Sequence, residues 1–573
     1  MAIHNAEIAR IFSLLADLLE IEGANPFRVR AYRNAARTIE SLPHNVEAMV
    51  REGADLSELP GIGEDLAGKI KEIVETGRLG LLEEVKSRIP GALAELVAIP
   101  GLGPKRVKVL YDALGIQDIE GLARAAKAGK LRNLPGFGAK IEEKILEELS
   151  RRATAEKRMK LITAEQFAEP LLNYLREANG VTRAIIAGSY RRRKETIGDI
   201  DILVTCRDSD PVMERFVTYD EVEHVLSKGK TRSTIVLRSG LQVDLRVVAE
   251  ESYGSALQYF TGSKAHNIAV RHLAVKLGLK LNEYGVFRGE TYIAGRTEEE
   301  VYRTVGLPYI EPELREDWGE VEAAQQGRLP HLVTLADIRG DLHAHTKATD
   351  GQATIEEMAA AAKAKGYDYL AITDHTKRVT VANGMDAKRL AQQLEAIDRL
   401  NERLSGMKIL KSAEVDILED GSLDLPNDIL KELDLTVCSI HYKLNLSREK
   451  QTERVIRAMD NPYFTIFGHP SGRMIEERAP YAIDMERVMQ AALERGCFLE
   501  VNAQPSRLDL NDVHCKMAKD MGLKVAISTD AHRTTDLDFM RFGVDQARRG
   551  WLEPSDVLNT KKWSELKSLI TRA

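Results

Sequence analysis

Little in this sequence points to an exported or membrane-bound protein. Its 573 residues include only four cysteines, Cys206, Cys438, Cys497 and Cys515, and no C-x-x-C spacing. Scattered thiols of this kind read as buried or inert groups in a reducing compartment, not as a disulfide framework or a zinc ribbon. No stretch approaches the ~18 apolar residues of a membrane span, and the opening MAIHNAEIARIF lacks the apolar run of a signal peptide. These absences predict a cytoplasmic protein with no membrane partner. Aromatic residues make up only 5%, so the cores must be built from Leu, Ile, Val and Ala. Positive charge is short as well. The formal net charge of −7 argues, taken alone, against a nucleic-acid binder. Carboxylates gathered around metal ions lower the total locally, however, so the distribution of charge matters more than its sum.

What is present is ordinary globular composition, 43% apolar and 29% charged, at a length suited to about three to five domains. Residues 1 to about 150 read as all helical, because Ile8, Ile11, Phe12, Leu15, Leu18 and Leu19 recur at helical spacing. From about 181, the runs VTRAIIAG, DIDILVTC, STIVLRS and LQVDLRVV are β-branched and read as strands, with helices around 255–278. Residues 311–337 are rich in charge and Pro, and 319–337 read as a linker. From 338 onwards, short apolar runs such as YDYLAITD, LTVCSI and KVAIST alternate with amphipathic stretches. That alternation predicts a βα-repeat domain with a parallel sheet or barrel.

Three breaks between N-terminal helices are alike: Leu59-Pro60-Gly61-Ile62-Gly63, Ile99-Pro100-Gly101-Leu102-Gly103 and Leu134-Pro135-Gly136-Phe137-Gly138. Glycine permits positive φ and lets the backbone approach a ligand. The following helix starts with free N–H groups where a phosphate can sit. Lys69, Lys105 with Arg106, and Lys140 with Lys144 follow the respective breaks. One copy would pass for a plain turn; three favour DNA. They resemble helix-hairpin-helix motifs, with Gly61, Gly63, Gly101, Gly103, Gly136, Gly138 and Lys105 as candidate DNA contacts that position the backbone without reading sequence.

The segment from Gly188-Ser189-Tyr190-Arg191-Arg192 to Gly198-Asp199-Ile200-Asp201 carries the first chemistry. In a strand, residues i and i+2 share a face, so Asp199 and Asp201 project together. LQVDLRVV puts Gln242, Asp244 and Arg246 on one face and Val243, Leu245 and Val247 on the other. If the strands are neighbours, three carboxylates converge, which suits a pair of hard cations bridging protein to substrate phosphates. Ser189 and Arg192 can donate to charge developing on a transferred phosphate. A D-x-D pair alone is usually a solvated strand end, but the Gly-Ser element, the arginines and a third Asp together resemble the nucleotidyltransferase superfamily.

Tyr259-Phe260-Thr261-Gly262-Ser263 followed by Asn267 and Arg271 resembles the family X DNA polymerases, of which DNA polymerase beta is the best known. The likeness covers about residues 1–318. It implies that Asp199, Asp201 and Asp244 hold Mg²⁺ or Mn²⁺ and that Gly188, Ser189 and Arg192 serve the nucleotide. Tyr259, Phe260 and Gly262 would discriminate the sugar, Asn267 would contact the incoming base, and Arg271 the nascent pair. Gln242 stands where the family carries an arginine, so handling of the primer 3′-hydroxyl is expected to differ. PFRVRAYRNAARTI resembles the family's lyase domain, and Lys69 matches the place of its Schiff-base nucleophile. Asp65 stands where the family has a second lysine. Lys69 therefore has two readings side by side, a nucleophile and a plain contact to the DNA backbone.

After residue 338, six of the chain's 13 histidines fall in an ordered series with carboxylates: His343, His345, Asp350, His375, Glu414, His441, His469, Asp530 and His532. Almost every one follows an apolar strand-like run, as functional side chains do in βα-barrels. Mixed imidazole and carboxylate ligation suits Zn²⁺, Mn²⁺ or Fe²⁺. The series resembles the PHP signature. That resemblance implies a distorted (β/α)₇ barrel in which these nine residues hold three divalent metals and activate water against a phosphodiester.

The expected architecture is multidomain. An all-α lyase-like region with a helix-hairpin-helix spans 1–90, and a thumb-like helix-hairpin-helix region 91–150. An α+β nucleotidyltransferase palm with nucleotide selection spans 151–318, a linker 319–337, and an α/β PHP barrel 338–573. The expected function is filling of short gaps in gapped or nicked DNA from dNTPs, by a monomer, with a 3′-5′ exonuclease and cleavage at abasic sites in the PHP half. The alternative makes the PHP half a metal-stabilised scaffold, although a dead domain has no need of every ligand. Fusion to DNA-binding elements disfavours a small-molecule phosphatase.

Overall fold

The computed structural model describes residues 5–40, 42, 46–59, 61–90, 92–97, 99, 102–154 and 158–571. The chain divides into two compact units, residues 1–159 with 165–169, and residues 160–164 with 170–573.

The first unit is helical, as the periodicity predicts. Asn5–Glu22 and Pro26–Glu40 pack together. Ile8, Phe12, Leu15, Leu18 and Leu19 are buried against Val29, Tyr32, Ala35 and Ile39, while Ile11 is partly buried. In the first and third breaks a 3₁₀ turn (Leu56–Glu58, Leu131–Asn133) leads to a glycine with positive φ, Gly61 at +69° and Gly136 at +80°. Only glycine adopts that conformation without strain. Pro60, Pro100 and Gly101 lie outside the described residues.

In the second unit, five strands form a mixed sheet in the order Val181–Ile186, Asp199–Cys206, Gln242–Val247, Arg232–Leu237, Val222–Lys228. Asp199–Cys206 and Gln242–Val247 run parallel; the other pairs are antiparallel. Ile200, Ile202, Val243 and Leu245 are buried behind the sheet, so the alternate residues face the opposite side. Helices Tyr253–Thr261 and Lys264–Lys276 follow, then a small antiparallel sheet of Lys280–Asn282, Gly285–Arg288 and Thr291–Ala294.

The stretch 319–337 is not a linker. It contains the helix Glu320–Gln325, with Val321, Ala323, Ala324 and Leu332 buried beside Val270, Tyr302 and Trp551. Glu320 is buried and accepts from His266 Nδ1 at 2.6 Å and from the Trp318 backbone N–H at 2.8 Å. The abundant charges that suggested solvent are in part paired internally.

The C-terminal strands form two parallel sheets. Gly340–Ala344, Tyr369–Ile372 and Lys408–Lys411 make one; Glu414–Asp416, Val437–Ser439, Ile466–Phe467, Phe498–Asn502 and Val525–Ser528 make the other. Single parallel bridges connect His375 to Glu414 and Ala344 to Ala531. Helices including Ile355–Ala364, Ala387–Asn401, Arg448–Ala458, Met485–Arg495, Asp512–Met521 and Met540–Arg549 alternate with the strands. The strands are largely apolar on both faces, as covered parallel strands must be, with Asp341, His343, Glu414, Asp416 and Glu500 as buried polar residues among them.

Candidate functional site

In the mixed sheet, Asp199 pairs in register with Gln242, and Asp201 with Asp244. Partners in a parallel ladder share a face, so the two strands bring all three carboxylates together. Asp244 is buried. It accepts from Thr234 Oγ1 at 2.6 Å, Gln242 Nε2 at 3.1 Å and Arg232 Nη2 at 3.1 Å, and these bonds outweigh its burial and lower its pKa. Burial, then the charges of Asp199 and Asp244, push Asp201 up to about 7. An acidic cluster held at this cost fits hard divalent cations. Gly188 closes on it, since a Cβ there would lie 2.9 Å from Asp201 Oδ2.

Arg192 donates to the Thr261 carbonyl at 2.5 Å and to Glu316 Oε1 at 3.0 Å, bringing the Gly188–Arg191 turn against the Tyr259–Gly262 segment. Ser189 is half-buried in that turn. Gly262 has φ +71° and ψ −151°, a conformation reserved for glycine. Tyr259 and Phe260 meet edge to face at 4.9 Å; Arg271 lies over Tyr259 and Arg246 over Phe260. Asn267, expected at the incoming base, is engaged within the protein: it donates to the Tyr259 carbonyl at 2.7 Å and accepts from Gln258 at 2.8 Å.

In the helical unit, Gly63 and Gly103 precede helices Glu64–Thr76 and Pro104–Leu114 with no side-chain cap. A Cβ at Gly63, Gly103 or Gly138 would meet nothing within 4 Å, so the backbone at these three positions is open. Lys105 is exposed. Arg106 Nε reaches the Gly136 carbonyl at 3.0 Å and ties the second hairpin to the third. Lys69 Nζ is ion-paired with Asp65 one helical turn earlier.

The C-terminal series converges. Glu414 sits at its centre, with Oε1 2.9 Å from His469 Nε2 and 3.3 Å from His441 Nε2, and Oε2 2.8 Å from His375 Nδ1 and 3.5 Å from His343 Nε2. Asp530 Oδ1 lies 3.1 Å from His345 Nε2, and Asp350 Oδ2 lies 3.3 Å and 3.4 Å from the Nε2 atoms of His375 and His532. Three groups bring ligand atoms within 4.8 Å of one another: His345, Asp350, His375 and His532; His343, His345 and Asp530; His375, Glu414 and His441. The Nε2 atoms of His343 and His345 face each other at 3.1 Å. His345 Nδ1 is buried with no hydrogen-bond partner, and the His375–Glu414 contact lacks hydrogen-bond geometry at His375 Nδ1. Crowded, unsatisfied imidazole nitrogens among carboxylates fit divalent metals. His469 and Asp530 also hold positive φ, +29° and +52°, a local strain typical of functional positions. Burial lowers His532, but Asp350 and Asp530 lift it to about 9. Neighbouring imidazoles hold Glu414 and Asp530 well below the usual carboxylate range despite their burial.

The sequence reading missed the groups behind these imidazoles. Glu500 accepts from His343 Nδ1 and from the His469 backbone N–H, each at 2.7 Å. Asp416 lies 2.9 Å from His441 Nδ1. Such carboxylates fix the tautomer and aim of an imidazole ligand. The available signal was a carboxylate inside each of the apolar strands EVDI and FLEVN.

The chain matches the family models described as helix-hairpin-helix domain (3–79), SAM-like helix-hairpin-helix tandem (93–151), DNA polymerase beta palm (162–255), DNA polymerase beta thumb (256–316) and PHP domain (341–504). Over 576 aligned residues, 99% of this chain and 100% of the relative, it is 37% identical to the DNA polymerase/3'-5' exonuclease PolX of Bacillus subtilis (strain 168). The chain belongs to the PolX family. The thumb match falls on residues 256–316, which include Tyr259 to Arg271, and not on 91–150, where the sequence suggests a thumb-like region. A "Probable phosphatase" of Thermoanaerobacter sp. (strain X514) is 33% identical over 231 residues, 38% of this chain and 89% of that protein. DNA polymerase lambda of Rattus norvegicus is 28% identical over 349 residues, 55% of this chain and 56% of that protein. PolX polymerase and PHP centres are metal-dependent. Among the described residues, no helix is long and apolar enough to cross a membrane.

Proposed function

We propose that this chain is a DNA-directed DNA polymerase that fills short gaps from dNTPs and degrades DNA 3′ to 5′ through its PHP half. The observation that carries the reading is the in-register pairing of Asp201 with Asp244, with Asp199 on the same strand. Asp199, Asp201 and Asp244 hold Mg²⁺ or Mn²⁺, which supply activation of the primer 3′-hydroxyl and charge neutralisation at the triphosphate. Ser189 and Arg192 donate to the triphosphate, and Arg192 exchanges its bonds to Thr261 and Glu316 for that purpose. Tyr259, Phe260 and Gly262 bound the sugar. Asn267 releases Gln258 or the Tyr259 carbonyl to reach the base, and Arg271 touches the nascent pair. Gly61, Gly63, Gly101, Gly103, Gly136, Gly138 and Lys105 grip DNA phosphates, and Lys69 is a backbone contact while Asp65 holds its ammonium.

In the PHP half we read the two bridged sheets as a distorted (β/α)₇ barrel. His343, His345, Asp350, His375, Glu414, His441, His469, Asp530 and His532 hold three divalent metals, of the Zn²⁺, Mn²⁺ or Fe²⁺ class, which supply an activated water and polarise the phosphodiester. Glu414 would serve as a ligand common to two imidazole sets, since Oε1 faces His441 and His469 and Oε2 faces His343 and His375. Glu500 and Asp416 hold His343 and His441 in place. The scaffold alternative is disfavoured by ligand nitrogens left without hydrogen bonds. The test is labelled gapped DNA with Mg²⁺ or Mn²⁺, with and without dNTPs. Extension with dNTPs and 3′-end shortening without them are expected; a protein that does neither overturns the reading.

A further inference from the structure

The nucleotide-binding turn is gripped from outside the polymerase half. Arg549, at the end of helix Met540–Arg549, is 2% exposed. Its Nη1 donates to the Arg192 carbonyl at 2.7 Å and to Glu316 Oε1 at 3.1 Å, while Nε and Nη2 hold Asp512 Oδ2 at 3.0 and 2.5 Å. Glu316 Oε1 is the same oxygen that takes Arg192 Nε at 3.0 Å. Arg473, four residues beyond His469, clamps Glu195 at the far end of the turn with bonds of 3.1 and 2.6 Å. Between the two grips Arg193 has φ +55°, a strained value for an arginine.

We infer that Arg549, a PHP-domain residue, is a positioning residue for nucleotide binding at the polymerase site. This rests on the reading of Arg192 as a triphosphate contact. A buried fork bonded to a backbone carbonyl fixes where Arg192 starts. Its charge also offsets Glu316, a carboxylate that would otherwise hold the Arg192 guanidinium and repel the anionic nucleotide. Without Arg549, the half-buried Glu316 and Asp512 are left with one cation fewer, and the strained turn loses an anchor.

The experiment measures single-nucleotide gap filling and, separately, 3′-end degradation of single-stranded DNA without dNTPs, on the full chain. For Arg549→Gln the KM for dNTP should rise about tenfold or more, the worth of one charge-assisted bond, with kcat within about threefold. Arg549→Lys, which keeps the charge and loses the fork, should fall between, and degradation should be unchanged in both. A fall in kcat with KM unchanged, or a parallel loss of both activities with normal thermal unfolding, overturns the inference. Should Arg549→Gln fail to fold, Arg549→Lys decides: a KM several-fold above the parent's with kcat within about threefold is expected, and a KM equal to the parent's overturns the inference. Arg192→Ala is the control; if it leaves KM unmoved, the triphosphate reading of Arg192 has failed instead.

Discussion

Asp201 is the carboxylate whose removal separates binding from stability most cleanly. Without metal it is held up to about 7 from 3.8 by burial and by its neighbours Asp199 and Asp244. At about 1.4 kcal/mol per pH unit, keeping it charged at pH 8 costs up to about 4 kcal/mol. The folded value lies above the unfolded one. The metal-free penalty from Asp201 is therefore absent at pH 3–4, grows as pH rises towards about 7, and stays constant above that. Asp201→Asn keeps the shape and removes the charge. In chelator at pH 8 the variant should melt several degrees above the parent; at pH 4 the two should coincide. Added Mg²⁺ or Mn²⁺ should raise the melting temperature of the parent more than that of the variant, because one ligand charge is gone. Gap filling should fall by at least ~10³, since the lost interaction bears on the transferred phosphate. Thermal unfolding across pH and a primer-extension assay read both effects. A variant that is less stable than the parent at pH 8 in chelator, or that extends primers within tenfold of it, would refute the reasoning.

Asp244→Ala should abolish extension yet leave 3′-end degradation, scored on the same labelled DNA; retained extension would sink the triad. His343→Ala combined with Glu414→Ala should abolish degradation and spare extension, with the parent nuclease faster in Mn²⁺ than Mg²⁺ because imidazole-rich sites hold Mg²⁺ poorly; unchanged degradation would favour the scaffold reading. DNA affinity should fall with salt at about −0.9 per neutralised phosphate, and Lys105→Ala should flatten the slope by about 1; equal slopes would remove Lys105 from the interface. Borohydride trapping of an abasic-site adduct should be weak in the parent and rise in Asp65→Ala as the Lys69 amine is freed; equal trapping would show that the pair does not restrain Lys69.

The shared face of Asp199, Asp201 and Asp244 was legible because strand alternation is local: once DIDILV and LQVDLRV are strands, it follows. The convergence of the histidine and carboxylate series after residue 338 was legible because residue type and order alone single it out. Glu500 and Asp416 were not, since one carboxylate in a strand looks the same whether it faces solvent or the back of an imidazole. The stretch 319–337 misled because composition reports charge and cannot report that Glu320 is paired with His266 inside. The internal engagement of Asn267 was equally hidden, since a side chain's resting partners depend on the folded packing. Partnerships such as Arg549 with Arg192 join residues 357 positions apart, and no local pattern encodes them.

Trp551 follows helix Met540–Arg549 in sequence yet lies in one apolar cluster with Val270, Tyr302, Val321 and Leu332. Anyone dividing this enzyme into separately expressed halves would cut through a shared core. A polymerase fragment ending near residue 337 would carry an open apolar socket, and a PHP fragment starting there a stranded indole. Loss of either activity on truncation would then report exposed surface and aggregation, not a missing catalytic group, so point variants in the intact chain are the sounder way to assign work between the two centres.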